Sequence, residues 1–174
     1  MVKKNKVVFF DRDGVLNKSL FENGKPVAPR KIKNFIINPN SKRVINYLKE
    51  MGNIIIVVTN QPDVGNGLVE KKVVDQMNQM LKSNLLIDDI FVCFHSQKDN
   101  CNCRKPRIGL FEMAHKKYNV DKAKSFIIGD RYSDIEAGFN FKIRTILLGN
   151  GYSEIYKTKP DFIISNLTEI KKII

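Results

Sequence analysis

Long apolar runs are missing from this 174-residue sequence. Its longest uninterrupted ones, such as Ile54–Val58, are a handful of residues, against the ~18–20 that a membrane-crossing helix needs. Lys3, Lys4 and Lys6 precede an apolar run at Val7–Phe10, but Asp11 ends it far short of a secretory signal. A cytoplasmic protein without membrane contact is expected. Cysteine is scarce too. Only Cys93, Cys101 and Cys103 occur, and an odd number clustered in one segment argues against a disulfide framework and for a metal. Internal repeats, low-complexity tracts and linker-like stretches are also lacking. The chain is therefore read as one domain, 1–174, long enough to bury a sizeable core.

Acidic residues are outnumbered, and the formal net charge is +12. Most of the excess is lysine spread along the whole chain, with no basic stretch interleaved with aromatics as a nucleic-acid stacking platform requires. The charge is read as background composition, with a small anionic substrate as a partial cause. No nucleic-acid partner is expected, and a monomer is.

β-branched runs alternate with amphipathic stretches. The predicted strands are Lys6–Phe10, Ile54–Thr59, Ile90–Phe94, Ser125–Gly129, Ile143–Leu148 and Phe162–Ile164. Several are near-continuously apolar, as in strands buried on both faces. The predicted helices are Ser41–Met51, Glu70–Leu81, Gly109–Tyr118 and Ser133–Gly138. Val44, Leu48 and Met51 share one helical face, as do Val73, Met77, Met80 and Leu81. Ser41 and Ser133 read as N-caps and Gly52 as a C-terminal stop. Strand–helix alternation implies a Rossmann-like three-layer α/β sandwich around a mostly parallel sheet.

The polar residues that interrupt this pattern fall at the carboxyl ends of strands, where open α/β sheets bind ligands. After the first strand comes Asp11-Arg12-Asp13-Gly14-Val15-Leu16-Asn17. One carboxylate there can attack phosphorus, and a second can protonate the leaving oxygen and then deprotonate water. The same residues also suit an ordinary Asp-rich turn. Thr59-Asn60-Gln61 ends the second strand and offers a hydroxyl and backbone N–H groups to a phosphoryl oxygen. Arg104-Lys105-Pro106 supplies cations, Lys105 for the transferring phosphoryl group and Arg104 for a second anionic group. Gly129-Asp130-Arg131-Tyr132-Ser133-Asp134 places two carboxylates at a strand-to-helix junction. With Asp11 and a backbone carbonyl, Asp130 suits Mg²⁺. Finally, Cys93, His95, Cys101 and Cys103 match a closed tetrahedral structural zinc site in a loop with little apolar content. That zinc would brace the segment carrying Arg104 and Lys105. His115 has no acidic neighbour in sequence and is read as structural.

In this order and over about Val7–Gly138, the five segments resemble the haloacid dehalogenase (HAD) superfamily of phosphatases. The spacings leave no room for a large cap domain, so a capless member is implied. Within the superfamily the chain is most similar to the D-glycero-D-manno-heptose 1,7-bisphosphate 7-phosphatases, through Phe10–Asn17, Thr59-Asn60-Gln61 and the Cys/His loop running into Arg104-Lys105-Pro106. Histidinol-phosphate phosphatases share much of this pattern. A polynucleotide 3′-phosphatase is a further alternative, motivated by the charge. The resemblance implies Asp11 as nucleophile and Mg²⁺ ligand. It makes Asp13 the acid/base and carbonyl ligand, and Asp130 the remaining ligand with Asp134 in support. Thr59 and Lys105 would hold the phosphoryl group. Asn60, Gln61, Arg104 and Arg131 would contact a small phosphorylated sugar. Two departures stand out: the Cys/His loop is short, and the segment after Gln61 reads Pro62-Asp63-Val64-Gly65-Asn66-Gly67, with Asn66 where relatives often carry arginine.

Overall fold

The computed structural model describes residues 3–150, 152, 154–155 and 157–174. Six parallel strands form the central sheet: β1 (Val7–Phe10), β4 (Ile54–Asn60), β5 (Asp89–Cys93), β6 (Phe126–Gly129), β7 (Arg144–Leu148) and β8 (Phe162–Ile164), in the order β5-β4-β1-β6-β7-β8. All six lie within a residue or two of the predicted runs.

β1 is buried along its whole length. Successive side chains of a strand point to opposite faces, so Val8 and Phe10 join one core while Val7 and Phe9 join the other. Helices α1 (Ser41–Glu50) and α3 (Lys71–Asn84) cover the first face through Val44, Ile45, Leu48, Met77 and Leu81. Helices α4 (Gly109–Tyr118) and α5 (Tyr132–Phe141) cover the second through Leu110, Phe111, Ala137 and Phe141. The fold is thus the expected three-layer α/β sandwich around a parallel sheet. The connection from β1 to α1 holds a two-stranded hairpin, β2 (Leu20–Glu22) with β3 (Lys25–Val27), and one 3-10 turn at Ile32–Asn34, and no large cap. No helix among the described residues is long and apolar enough to cross a membrane.

Several local expectations are corrected. Ser41 is the first residue of α1, behind Asn40 at the cap position, and its hydroxyl donates to the Leu16 carbonyl at 3.1 Å. Ser133 lies inside α5, where Asp134 caps the helix by accepting the Arg131 N–H at 3.1 Å. Met51 and Met80 are exposed. The buried face of α3 runs instead through Val74, Met77, Asn78 and Leu81. Gly52, at φ +76°, does follow the end of α1 as expected. The hairpin escapes the sequence reading because its strands are three residues each and lack an apolar alternation.

The chain leaves β1 for β4 and β5 on one side, then returns to β6 on the other. The carboxyl end of β1 is therefore the topological switch point, where a crevice opens. Close packing of α5 onto the sheet depends on Gly138. A Cβ built there would sit 2.3 Å from Ile127 Cγ2 and 2.7 Å from Thr145 Cγ2. Gly138→Ala should therefore destabilise the fold by about 1–3 kcal/mol in urea unfolding, from overpacking, although Ala is the better helix former by about 1 kcal/mol.

Candidate active site

Asp11 is the first residue past β1, and its N–H donates to Ile128 O at 2.9 Å, extending the β1–β6 ladder by one bond. The chain then turns at Gly14, whose φ is +87°. A Cβ at Gly14 would lie 1.9 Å from Asp130 Oδ2. Glycine is required there both by the backbone and by the approach of Asp130, the residue that follows β6.

Lys105 is buried at the centre of this junction. Its Nζ donates to Asp11 Oδ1 at 2.7 Å, Asp134 Oδ1 at 2.5 Å and Val58 O at 2.7 Å. All three ammonium protons are used. Burial by itself favours the neutral amine, but Asp11 and Asp134 outweigh it and raise the Lys105 pKa. Asn60, at the end of β4, holds the Lys105 backbone from both sides: its Oδ1 accepts the Lys105 N–H at 3.0 Å and its Nδ2 donates to the Lys105 carbonyl at 3.1 Å.

Asp11, Asp130 and Asp134 bring one carboxylate oxygen each within 4.8 Å of one another, all buried. Burial is the main force pushing the Asp11 pKa up to about 7; Lys105 opposes it, while Asp134 and Asp13 add to it. Asp130 is raised well above its ordinary value by burial, then by Asp11 and Asp134. Among the described residues Asp130 Oδ1 has no hydrogen-bond partner. Hard oxygen donors with unmatched negative charge and an orphaned buried oxygen are what a Mg²⁺-sized cation requires. The donor set fits that ion.

Asp13 sits differently. Its carboxylate accepts from Arg12 (3.0–3.3 Å), Asn17 Nδ2 (2.9 Å) and Gln61 Nε2 (2.6 Å). Arg12 is fully buried, donates to Asn78 Oδ1 of α3 at 3.0 Å and lies 5.4 Å from the Phe35 ring centroid. Sequence reasoning gave no part to Arg12, Asn17 or Asn78. The polar Asn78 on the buried face of α3 was the available signal. Gln61, expected at the substrate, is 1% exposed and reaches Asp13 and the Thr59 hydroxyl (2.9 Å) rather than the cavity. Thr59 is equally buried.

A cavity of about 670 Å³ opens above these groups. Asp11, Asp13, Lys105, Asp130 and Asp134 line it, as do the expected contacts Asn60, Arg104 and Arg131. Arg131 pairs with Glu154, whose carboxylate also accepts the Tyr132 N–H at 2.8 Å. Sequence reasoning also missed Asp63, Arg107 and the hairpin residues Pro26 and Val27, which line the same space.

Beside the cavity, Cys93, His95, Cys101 and Cys103 converge. The sulfurs are 2.9 Å (Cys93–Cys103) and 3.5 Å (Cys93–Cys101, Cys101–Cys103) apart, and His95 Nδ1 lies 3.2 Å from Cys103 Sγ and 3.6 Å from Cys93 Sγ. These distances exceed the ~2.05 Å of a disulfide. Three of them, at 3.5–3.6 Å, lie just inside the ligand–ligand edge of about 3.8 Å that Zn–S bonds of about 2.3 Å imply for a tetrahedron, and the Cys93–Cys103 and His95–Cys103 pairs are closer still. The loop is pressed onto its neighbours: a Cβ at Gly109 would be 2.5 Å from Asn102 O, and one at Gly65 would be 2.4 Å from Ser96 N. His115 lies on α4 with its ring 6.2 Å from that of Phe141, a packing position.

Removing the Lys105 charge leaves two buried carboxylates unpaired. Lys105→Met should lower stability in magnesium-free buffer by about 3–5 kcal/mol, measured by chemical denaturation.

Comparison with known proteins agrees with this geometry. Residues 102–170 match the HAD-hydrolase-like family. A D-glycero-beta-D-manno-heptose-1,7-bisphosphate 7-phosphatase of Helicobacter pylori (strain J99) is 32% identical over 85% of both chains. A D-glycero-alpha-D-manno-heptose-1,7-bisphosphate 7-phosphatase of Photorhabdus laumondii is 32% identical over 98% of this chain and 97% of that one. The crystal structure of a D,D-heptose 1,7-bisphosphate phosphatase from B. bronchiseptica, complexed with magnesium and phosphate, superposes with a TM-score of 0.82 at 25% identity, covering 97% of each chain. With a sheet, a carboxylate cluster and a near full-length likeness of this kind, the chain belongs to the HAD-type phosphatases, in the family of the heptose-1,7-bisphosphate 7-phosphatases.

Proposed function

We propose that this phosphatase removes the 7-phosphate of a D-glycero-D-manno-heptose 1,7-bisphosphate in the supply of heptose precursors for glycoconjugates, as a cytoplasmic monomer. The observation that carries the chemistry is the buried Lys105–Asp11 pair (2.7 Å) on the wall of an open cavity. The near full-length relatives carry the choice of substrate.

Asp11, Asp130 and the Asp13 carbonyl, with Asp134 in support, would hold a magnesium ion, which would supply positive charge to the phosphoryl oxygens. The chain's own residues do the rest. Asp11 attacks phosphorus, forming an aspartyl phosphate as the bond from phosphorus to the sugar oxygen breaks. Asp13 gives its proton to that oxygen, then takes one from the water that cleaves the acyl phosphate, which restores Asp11. Lys105 and the Thr59 hydroxyl stabilise the transferring group. Arg104, Arg131 and Asn60 line the space for the rest of the substrate. Gln61 holds Asp13 and Thr59 in register (2.6 and 2.9 Å). Cys93, His95, Cys101 and Cys103 would hold a structural zinc, which would brace the 93–103 loop and, through it, Arg104 and Lys105.

A substrate panel with Mg²⁺ tests this. Heptose 1,7-bisphosphate should be turned over with the highest kcat/KM, above histidinol phosphate and 3′-phosphorylated oligonucleotides. A large preference for either of the latter would overturn the substrate assignment. Asp11→Asn should lower kcat roughly a thousandfold or more while leaving the circular dichroism spectrum unchanged. Near-normal turnover would refute the nucleophile. Metal analysis should find about one zinc per chain, lost in Cys101→Ser.

A further inference from the structure

At the carboxyl edge of the sheet, β4 runs into the short helix α2 (Pro62–Gly65) and β6 runs into α5. β7 is followed instead by Gly149 and Asn150, outside any helix. Gly149 N–H donates to Ile164 O at 2.8 Å, which carries the β7–β8 ladder one bond further and sets the place of Asn150. From there the Asn150 amide reaches back over the cation site. Its Nδ2 donates to Gly14 O at 3.1 Å and to Asp130 Oδ2 at 3.3 Å. Both amide protons are used.

The two bonds act on different candidate ligands. Asp130 has one oxygen occupied. Oδ2 accepts from Asn150 and is pressed against Gly14, where a Cβ would meet it at 1.9 Å. Oδ1 is left buried and, among the described residues, without a partner. Asn150 thus turns one oxygen of Asp130 away and leaves the other to a cation. At Gly14 the backbone is held from both ends: its N–H donates to Asn17 O at 2.8 Å, and its carbonyl accepts from Asn150. The Asp13 carbonyl shares a planar trans peptide with that N–H and points the opposite way. Holding Gly14 therefore fixes the direction of the Asp13 carbonyl. Glycine at φ +87° has little conformational preference of its own, so the restraint has to come from its partners. Asn150 itself is exposed, and its contribution lies in these two bonds rather than in burial.

Mg²⁺ demands near-ideal octahedral geometry at short distances, whereas Ca²⁺ accepts longer and less regular ligation. Hydrogen bonds that orient metal ligands therefore matter more for the smaller ion. We propose that Asn150 is a positioning residue for the cation: it orients the Asp130 carboxylate and, through Gly14, the Asp13 carbonyl, and so favours Mg²⁺ over Ca²⁺. The proposal rests on the magnesium-dependent reading above and adds to it the residue that sets the ligand geometry.

Calorimetric titration with MgCl₂ and with CaCl₂ tests it, on the full chain dialysed without a strong chelator, beside urea unfolding in the absence of both ions. Asn150→Ala should raise the Kd for Mg²⁺ about tenfold, the lower end of what such outer contacts govern. The Kd for Ca²⁺ should rise by a several times smaller factor. The unfolding midpoint without added ions should stay at the wild-type value, because the residue is exposed. An unchanged Mg²⁺ Kd would overturn the proposal. So would equal weakening of both ions, which marks general loosening of the site rather than lost geometry, and so would a lowered midpoint that accompanies it. Any of these in a protein whose wild type binds Mg²⁺ and needs it for turnover leaves the phosphatase reading standing. A wild type that neither binds Mg²⁺ nor needs it would overturn both.

Discussion

The ammonium of Lys105 is the contact on which the site depends. It is buried, spends its three protons on Asp11, Asp134 and the Val58 carbonyl, and so joins the ends of β1 and β4 to the start of α5. Three carboxylates within 4.8 Å of one another would repel strongly in so dry a place. One lysine cannot compensate all of them, and burial, together with the neighbouring acids, pushes the pKa values of Asp11 and Asp130 up. The remaining deficit is the reason a divalent cation fits.

Holding Lys105 there takes structure on two sides. Asn60 clasps its backbone with two hydrogen bonds. Two residues upstream, Cys103 belongs to the thiol–imidazole cluster, itself pressed against Gly109 and Gly65. Asp13 is held by a separate network that runs inward through Arg12 to Asn78 on α3. Asp11 and Asp13 are therefore anchored to different parts of the fold. Lys105 and the cation site hold the first, while a buried arginine, Asn17 and Gln61 hold the second.

Much of this was legible in the sequence because it follows from local pattern. Buried parallel strands read as apolar runs, so β1, β4, β6 and β7 appear within a residue of their places. The acids that interrupt them mark the strand ends. What local pattern missed has specific causes. The β2–β3 hairpin is too short to show a period. Gln61 looked like a ligand contact because it follows Thr59 and Asn60, yet its side chain turns inward to Asp13. Arg12, given no part by the sequence pattern, is fully buried.

By itself the sequence determined the α/β class, and it carried the resemblance to HAD phosphatases through Asp11, Asp13, Thr59, Lys105 and Asp130 and the clustering of the Cys/His set, because these motifs are written in residues adjacent in the chain or at strand ends. Only the tertiary structure decided which charges meet. Lys105 reaches Asp11 across 94 positions, Gln61 reaches Asp13 across 48, and Arg30 reaches Asp63 across 33. A charged side chain's role depends on its partner and its burial, and neither is a property of the neighbouring sequence.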